Sequence, residues 1–151
     1  MEILNFDSGI KEYQFVAGGD LLRFNPSDPN VYARYMDAMD KIKAVEKKMA
    51  AKANAIDTTN GEEKTGEATL RIISDTDKQM KQILNDIFGH GNDFDKILCG
   101  VNLMAVASNG NRVVTNLIEA LQPIMENGAK ACATGEVEAA KLNRAQRRAM
   151  Q

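Results

Sequence analysis

Between Asn25 and Pro29 the chain reads Asn-Pro-Ser-Asp-Pro, and from Asn30 to Ile56 it then contains neither glycine nor proline. No other stretch constrains the fold as tightly. Asp28 can accept hydrogen bonds from the free N–H groups of a first helical turn. Pro29 suits the first helical position, where its missing N–H costs nothing and its fixed φ is already helical. Pro26 disfavours a helical Asn25, so the chain enters this helix from an extended or turned segment. Apolar side chains at Tyr32, Tyr35, Met36, Met39, Ile42, Val45, Met49, Ala53 and Ile56 recur at steps of three and four. They describe one stripe along a rod roughly 42 Å long. A rod with such a stripe needs other elements to cover it.

The 151 residues suffice for one domain with a single core. Upstream, Glu12–Val16 and Leu21–Phe24 are β-prone runs joined by Ala17-Gly18-Gly19-Asp20, which reads as a hairpin. Tyr13 and Phe15 would share one face and Leu22 and Phe24 the other, laying an aromatic surface on the long helix. An isolated two-stranded hairpin is marginal in water, so it must pack on the helices or pair with another chain. Residues 1–11 show no clear period and are expected as a loop or short extra strand.

Downstream, the polar stretch 57–66 reads as a loop, followed by a second helix from about Glu67 to Phe88 ended by Gly89. Its stripe is Leu70, Ile73, Met80, Ile83, Leu84, Ile87 and Phe88, and an antiparallel helical hairpin follows. A short helix capped by Asn92 or Asp93 is predicted next, then a turn at Ser108-Asn109-Gly110-Asn111. A third long helix spans about Asn111 to Cys132 on Val113, Val114, Leu117, Ile118, Leu121, Ile124 and Met125, kinked or broken at Pro123. The predicted fold is mainly α, a bundle of three to four helices with a small N-terminal β-hairpin. It divides into a hairpin segment 1–27, a helical domain 28–132 and a basic tail 133–151, frayed or mobile.

Chemistry-bearing residues are sparse. The single histidine, His90, stands between two glycines without a second His or Cys at ligand spacing, which argues against a metal site. Gly89-His90-Gly91 lacks the rest of a phosphate-binding loop and reads as a helix stop. Asp93 and Asp95 open a short helix, where carboxylates offset the helix dipole; Asp75 and Asp77 point to different sides of theirs. Cys99 and Cys132 have no partner motif and are expected as free thiols. No cofactor and no enzymatic activity are expected. Net charge is −2, so the whole molecule makes no case for nucleic acid. Lys141, Arg144, Arg147 and Arg148 form a local basic end, with the three arginines on one helical face, read first as cations complementing a helix C-terminus. Glu2, Asn5 and Asp7 interrupt Ile3, Leu4 and Phe6, so neither a membrane span nor an export leader is expected.

The stretch Phe24-Asn25-Pro26-Ser27-Asp28-Pro29 and the ending Arg144-Ala145-Gln146-Arg147-Arg148 together resemble the small tail assembly chaperones of long-tailed phages and prophages of Gram-positive bacteria. The order of elements extends the likeness over most of the chain. The resemblance implies a non-enzymatic role in virion morphogenesis: binding the long helical tape measure protein, keeping it soluble, and handing it to the tail tube protein. It further implies a place in the cytoplasm of the infected host and absence from the mature virion; self-association is expected separately, because the long stripe and the hairpin edge both invite pairing. Tyr32, Met36, Met39, Ile42 and Met49 are the candidate client face, since thioethers accommodate varied helical partners; for any one of them the bundle core is the favoured place, and only the surplus beyond what the bundle buries can bind. Two other classes fit a small helical protein: a phage inhibitor of a host protein, of the anti-defence type, and a basic-tailed nucleic-acid adaptor.

Overall fold

A computed structural model describes residues 1–150 of the chain. Two short strands, β1 (Lys11–Tyr13) and β2 (Leu22–Phe24), pair antiparallel, with Lys11 opposite Phe24, Glu12 opposite Arg23 and Tyr13 opposite Leu22. Four helices follow: α1 (Pro29–Asn54), α2 (Glu62–Phe88), the single turn α3 (Phe94–Ile97) and α4 (Val113–Ala149). The molecule is thus mainly helical with a small N-terminal hairpin, as the periodicities predict.

α1 starts where the sequence requires. The Asp28 carboxylate accepts from the Asn30 N–H at 2.9 Å, and Pro29 occupies the first helical position. The helix stops at Asn54, Asp57 caps a short 3-10 turn over Thr58–Asn60, and Gly61 at φ 98° turns the chain into α2. α2 begins five residues earlier than the sequence reading placed it, and runs through Gly66. Glu62 and Glu63 in its first turn favour that start, because carboxylates there oppose the helix dipole. α1 and α2 pack antiparallel, and Arg34 near the start of α1 donates from Nε to the Ile87 carbonyl at the end of α2, 2.8 Å away.

The core gathers Val31, Tyr35, Ala38 and Ile42 from α1 and Met80, Leu84, Ile87 and Phe88 from α2. Leu117, Leu121 and Met125 of α4 close it, and Tyr35 donates its hydroxyl to Gln122 Oε1 at 2.5 Å. Leu70, assigned to the stripe of α2 from its spacing, is instead exposed, because it lies on the first half of the helix, beyond the reach of α4 and the hairpin. The strands are shorter than predicted. Residues 14–21 leave the ladder to pack on α3: the Asp20 N–H donates to the Lys96 carbonyl, and Gly19 lies so close to the Ile97 carbonyl that a Cβ would sit 2.5 Å from it. The aromatic side chains of the hairpin face α2 rather than α1, in a chain of ring contacts from Tyr13 through Phe24 and Phe88 to Phe94, with centroids 4.6–5.7 Å apart.

α4 departs most from expectation. It is not broken at Pro123 and does not end near Cys132, but continues as helix to Ala149. Pro123 leaves the Glu119 carbonyl without its helical donor, and both residues are exposed, so water can take that place. The N–H groups of Val113 and Val114 at its start donate to the carbonyls of Ala105 and Leu103, in a loop whose Asn109-Gly110 turn falls where the sequence places it. Residues 133–149, read from sequence as a tail, are helical and exposed along their whole length.

Candidate functional site

The stretch that carries the resemblance is a joint. Asn25 Oδ1 accepts from the Ser27 N–H at 2.9 Å and the Ser27 hydroxyl at 2.8 Å, while Asn25 Nδ2 donates to the Ser8 carbonyl at 3.0 Å. One side-chain amide therefore fixes the turn into α1 and ties down the segment before β1. Gly9, at φ 73°, passes directly beneath it: a Cβ there would lie 2.7 Å from Asn25 Nδ2. The Asp7 carboxylate accepts from the Gly9 N–H at 2.8 Å and completes the bend. On the other side, buried Pro26 presses its carbonyl against α4 at Gly128, where a Cβ would fall 1.7 Å from the oxygen. Asn25, Pro26, Asp28 and Pro29 thus join the N-terminal segment, α1 and α4 at one point.

Beside this joint runs a groove of ≈ 430 Å³ between the hairpin and α4, with Tyr13 and Pro26 on one wall and Ile124, Gly128 and Ala131 on the other. Lys11 is its one charged lining residue. From the rim at Gly9 back to Met1 the chain forms neither helix nor strand and is exposed throughout; residues 1–7 make up an N-terminal arm. Ile3, Leu4 and Phe6 are 78%, 82% and 81% exposed, and Ile10 at the root is also largely in water. In the sequence, Glu2, Asn5 and Asp7 break the apolar run and residues 1–11 show no clear period, which predicts a loop or short extra strand but not an exposed apolar surface. The signal that would have found it was the opposite one, namely several large apolar side chains in a stretch with no helical or strand period to bury them.

The five residues of the candidate client face do not form one accessible surface. Ile42 belongs to the core, Tyr32, Met39 and Met49 are half-buried against it, and only Met36, at 49%, is substantially exposed. The reason is that α1 is covered by α2 along one flank and α4 along another, so most of its stripe is used internally. Arg144, Arg147 and Arg148 lie on the exposed end of α4, with no acidic partner among the described residues.

Sequence reasoning missed a buried ion cluster. Lys81, only 5% exposed, donates to Asp77 Oδ2 at 3.0 Å and Asp95 Oδ1 at 2.7 Å, while Asp77 Oδ1 accepts from the Leu103 N–H at 2.7 Å. The signal was Asp77 and Lys81 at a four-residue spacing on a face otherwise apolar. Burial works against the charge on Lys81, yet its two carboxylate partners outweigh that and raise its pKa; the hydrogen bond and charge of Lys81 hold Asp95 below the usual carboxylate range. No buried side-chain polar atom in it is left unpaired, and the cluster fastens α2 to α3 and to the loop before α4. Asn92, a second buried polar residue, closes the outer edge of β2: its amide accepts from the Arg23 N–H and donates to the Arg23 carbonyl, both at 2.9 Å, as a neighbouring strand would.

No family model, no curated protein and no solved structure matches this chain.

Proposed function

We propose that this protein is a tail assembly chaperone, which binds an aggregation-prone, largely helical tape measure protein of a long-tailed phage and keeps it soluble until tail tube subunits replace it. The observation that carries this reading is the N-terminal arm, where Ile3, Leu4, Phe6 and Ile10 stand in water beyond what the bundle needs for its own core. A holding chaperone needs such a surplus: apolar surface that attaches to amphipathic helices without strict sequence demands and releases them again. The Phe24–Pro29 stretch and the Arg144–Arg148 ending, which resemble that family, support the same assignment. The joint at Asn25 supplies a rigid base for the arm, and the client face accordingly moves from α1 to residues 3–10. The role is one of protein contacts alone, without catalysis, in the cytoplasm of the infected cell.

The test is co-expression with the long helical protein encoded beside this gene. The wild-type chain should render that protein soluble and co-purify with it at a fixed ratio. The double substitution Leu4→Asp and Phe6→Asp should lose this effect while retaining the far-UV helix signal. A neighbour that stays insoluble beside the folded wild-type protein would overturn the chaperone reading; equal rescue by the double variant would overturn the arm as its client surface.

A further inference from the structure

The arm and the groove are contiguous: the arm leaves the body at Gly9, and Gly9 and Lys11 line the groove. We infer that, in the absence of a client, two copies of this chain exchange their arms, each laying residues 3–6 into the groove between the hairpin and α4 of the other.

Three observations single out a second copy as the occupant. The first is fit. Ile3 to Phe6 extended spans about 10 Å, and the groove wall from Ile124 to Ala131 is about 10 Å of helix. That wall is low at Ala131, which carries only a methyl, whereas at Gly128 the Pro26 carbonyl already packs against the helix. The second is charge. The arm carries Glu2 and Asp7 and no cationic side chain, whereas the charged residue lining the groove is Lys11. The third is symmetry. Because arm and groove meet at Gly9, a two-fold axis beside that residue carries each arm across to the other copy's groove, and the pairing closes at two copies without leaving an unsatisfied surface. Within one copy Ile3, Leu4 and Phe6 stay exposed, so the arm does not fill its own groove.

This inference deepens the chaperone reading, since it makes the arm's client-free partner a second copy that a client must displace; its test involves no client. In a background with Cys99→Ser and Cys132→Ser, one tagged chain carries Phe6→Cys and an untagged chain carries Asn127→Cys, a residue on the groove wall. Mixed and oxidised, the two should give a disulfide-linked heterodimer, and the native protein should sediment as a dimer that Leu4→Asp with Phe6→Asp converts to a monomer of unchanged helicity. A monomeric wild-type protein would overturn arm exchange. So would a single chain bearing both cysteines that closes an internal disulfide instead of linking to a second copy. If the protein proves monomeric while the arm variants still lose the tape measure protein, exchange fails and the chaperone reading stands. If the arms cross-link but co-expression rescues nothing, the reverse holds.

Discussion

Gly128 and Gly135 lie on the same helix about two turns apart, yet replacing each with alanine should move stability in opposite directions. At Gly128 an added Cβ would meet the Pro26 oxygen at 1.7 Å and its carbonyl carbon at 2.4 Å; at Gly135 it meets nothing within 4 Å. Ordinary carbon contacts lie near 3.5–4 Å, so roughly 1.5 Å or more of backbone retreat is required at Gly128. Neither side can yield freely. Pro26 is buried and held by the Asn25–Ser27 hydrogen bonds, and α4 is pinned by Met125 and Leu121 one and two turns earlier. Overpacking of this kind costs about 3 kcal/mol, at the upper end of the usual range because the neighbour is backbone. Alanine recovers about 1 kcal/mol of helix propensity. The net expectation for Gly128→Ala is a loss of about 2 kcal/mol, or roughly 4–8 °C in Tm for a chain of this size. Gly135→Ala gains the propensity term alone, so its effect lies between zero and about +1 kcal/mol, the lower figure applying if the exposed end of α4 frays before the body unfolds. Urea denaturation followed at 222 nm, with both variants measured side by side, decides the matter. Equal stability of the two variants would refute the close approach of α4 to the Asn-Pro-Ser turn and, with it, the joint described above.

Replacing Lys81 with methionine keeps the stem packed but leaves Asp77 buried with only the Leu103 N–H as partner; about 3 kcal/mol should be lost, and a loss under about 1 kcal/mol in urea titration would argue against a buried pair. Asp95→Asn should cost less, since that carboxylate is largely exposed and screened by solvent. The pH dependence follows from the same cluster. Asp95 has a depressed folded pKa, so its contribution is present above the unfolded carboxylate value near about 3.9 and is lost as pH falls through the lower folded value; Lys81 has a raised folded pKa, so its contribution is full below about 10.4 and is lost as pH rises through the folded value. The urea midpoint should therefore drop at both extremes, and Asp95→Asn should weaken the acid-side drop specifically; an unchanged acid limb would contradict this. Asn92→Ala removes the hydrogen bonds to Arg23 and to the Phe88 carbonyl. A loss of about 2 kcal/mol is expected, with amide exchange accelerated most at Arg23; if exchange there is unaffected, Asn92 does not close the sheet edge.

Local signals in the sequence located what local physics controls. The Asp28-Pro29 start of α1, the Gly89 stop of α2, the Asp93 cap of α3 and the Asn109-Gly110 turn all lie where short-range hydrogen bonding and backbone freedom place them. What escaped depends on partners distant in sequence. Spacing could assign Leu70 to a stripe but could not tell that its face of α2 is left uncovered. Pro123 was expected to interrupt α4 because its cost is local, whereas its toleration rests on a solvent-facing position and on buried Leu121 and Met125 at either side. Lys81 lies on a face shared with Met80 and Leu84, and only the fold brings Asp95 to it. The methionines of α1 looked available for a partner because the sequence does not say how much of a helix the rest of the chain will cover.

The joint also sets how the exposed arm is mounted on the body. Asn25 has a single side-chain amide, and its two ends hold different parts of the molecule: the oxygen holds the turn into α1, and the nitrogen holds the Ser8 carbonyl at the root of the arm. Any displacement of the arm root must therefore either break the bond to Ser8 or pull on a turn clamped between Pro26 and Gly128 of α4. The first is the easier event, because the Asn25–Ser8 bond is exposed and water can replace it at a net cost of about 1 kcal/mol. The turn itself, with Pro26 buried and Asp28 capping α1, stays in place. An arm so mounted can move at the cost of one exposed hydrogen bond while the helices behind it keep their packing, which is the property that the proposed exchange between copies and the proposed transfer to a client would both require.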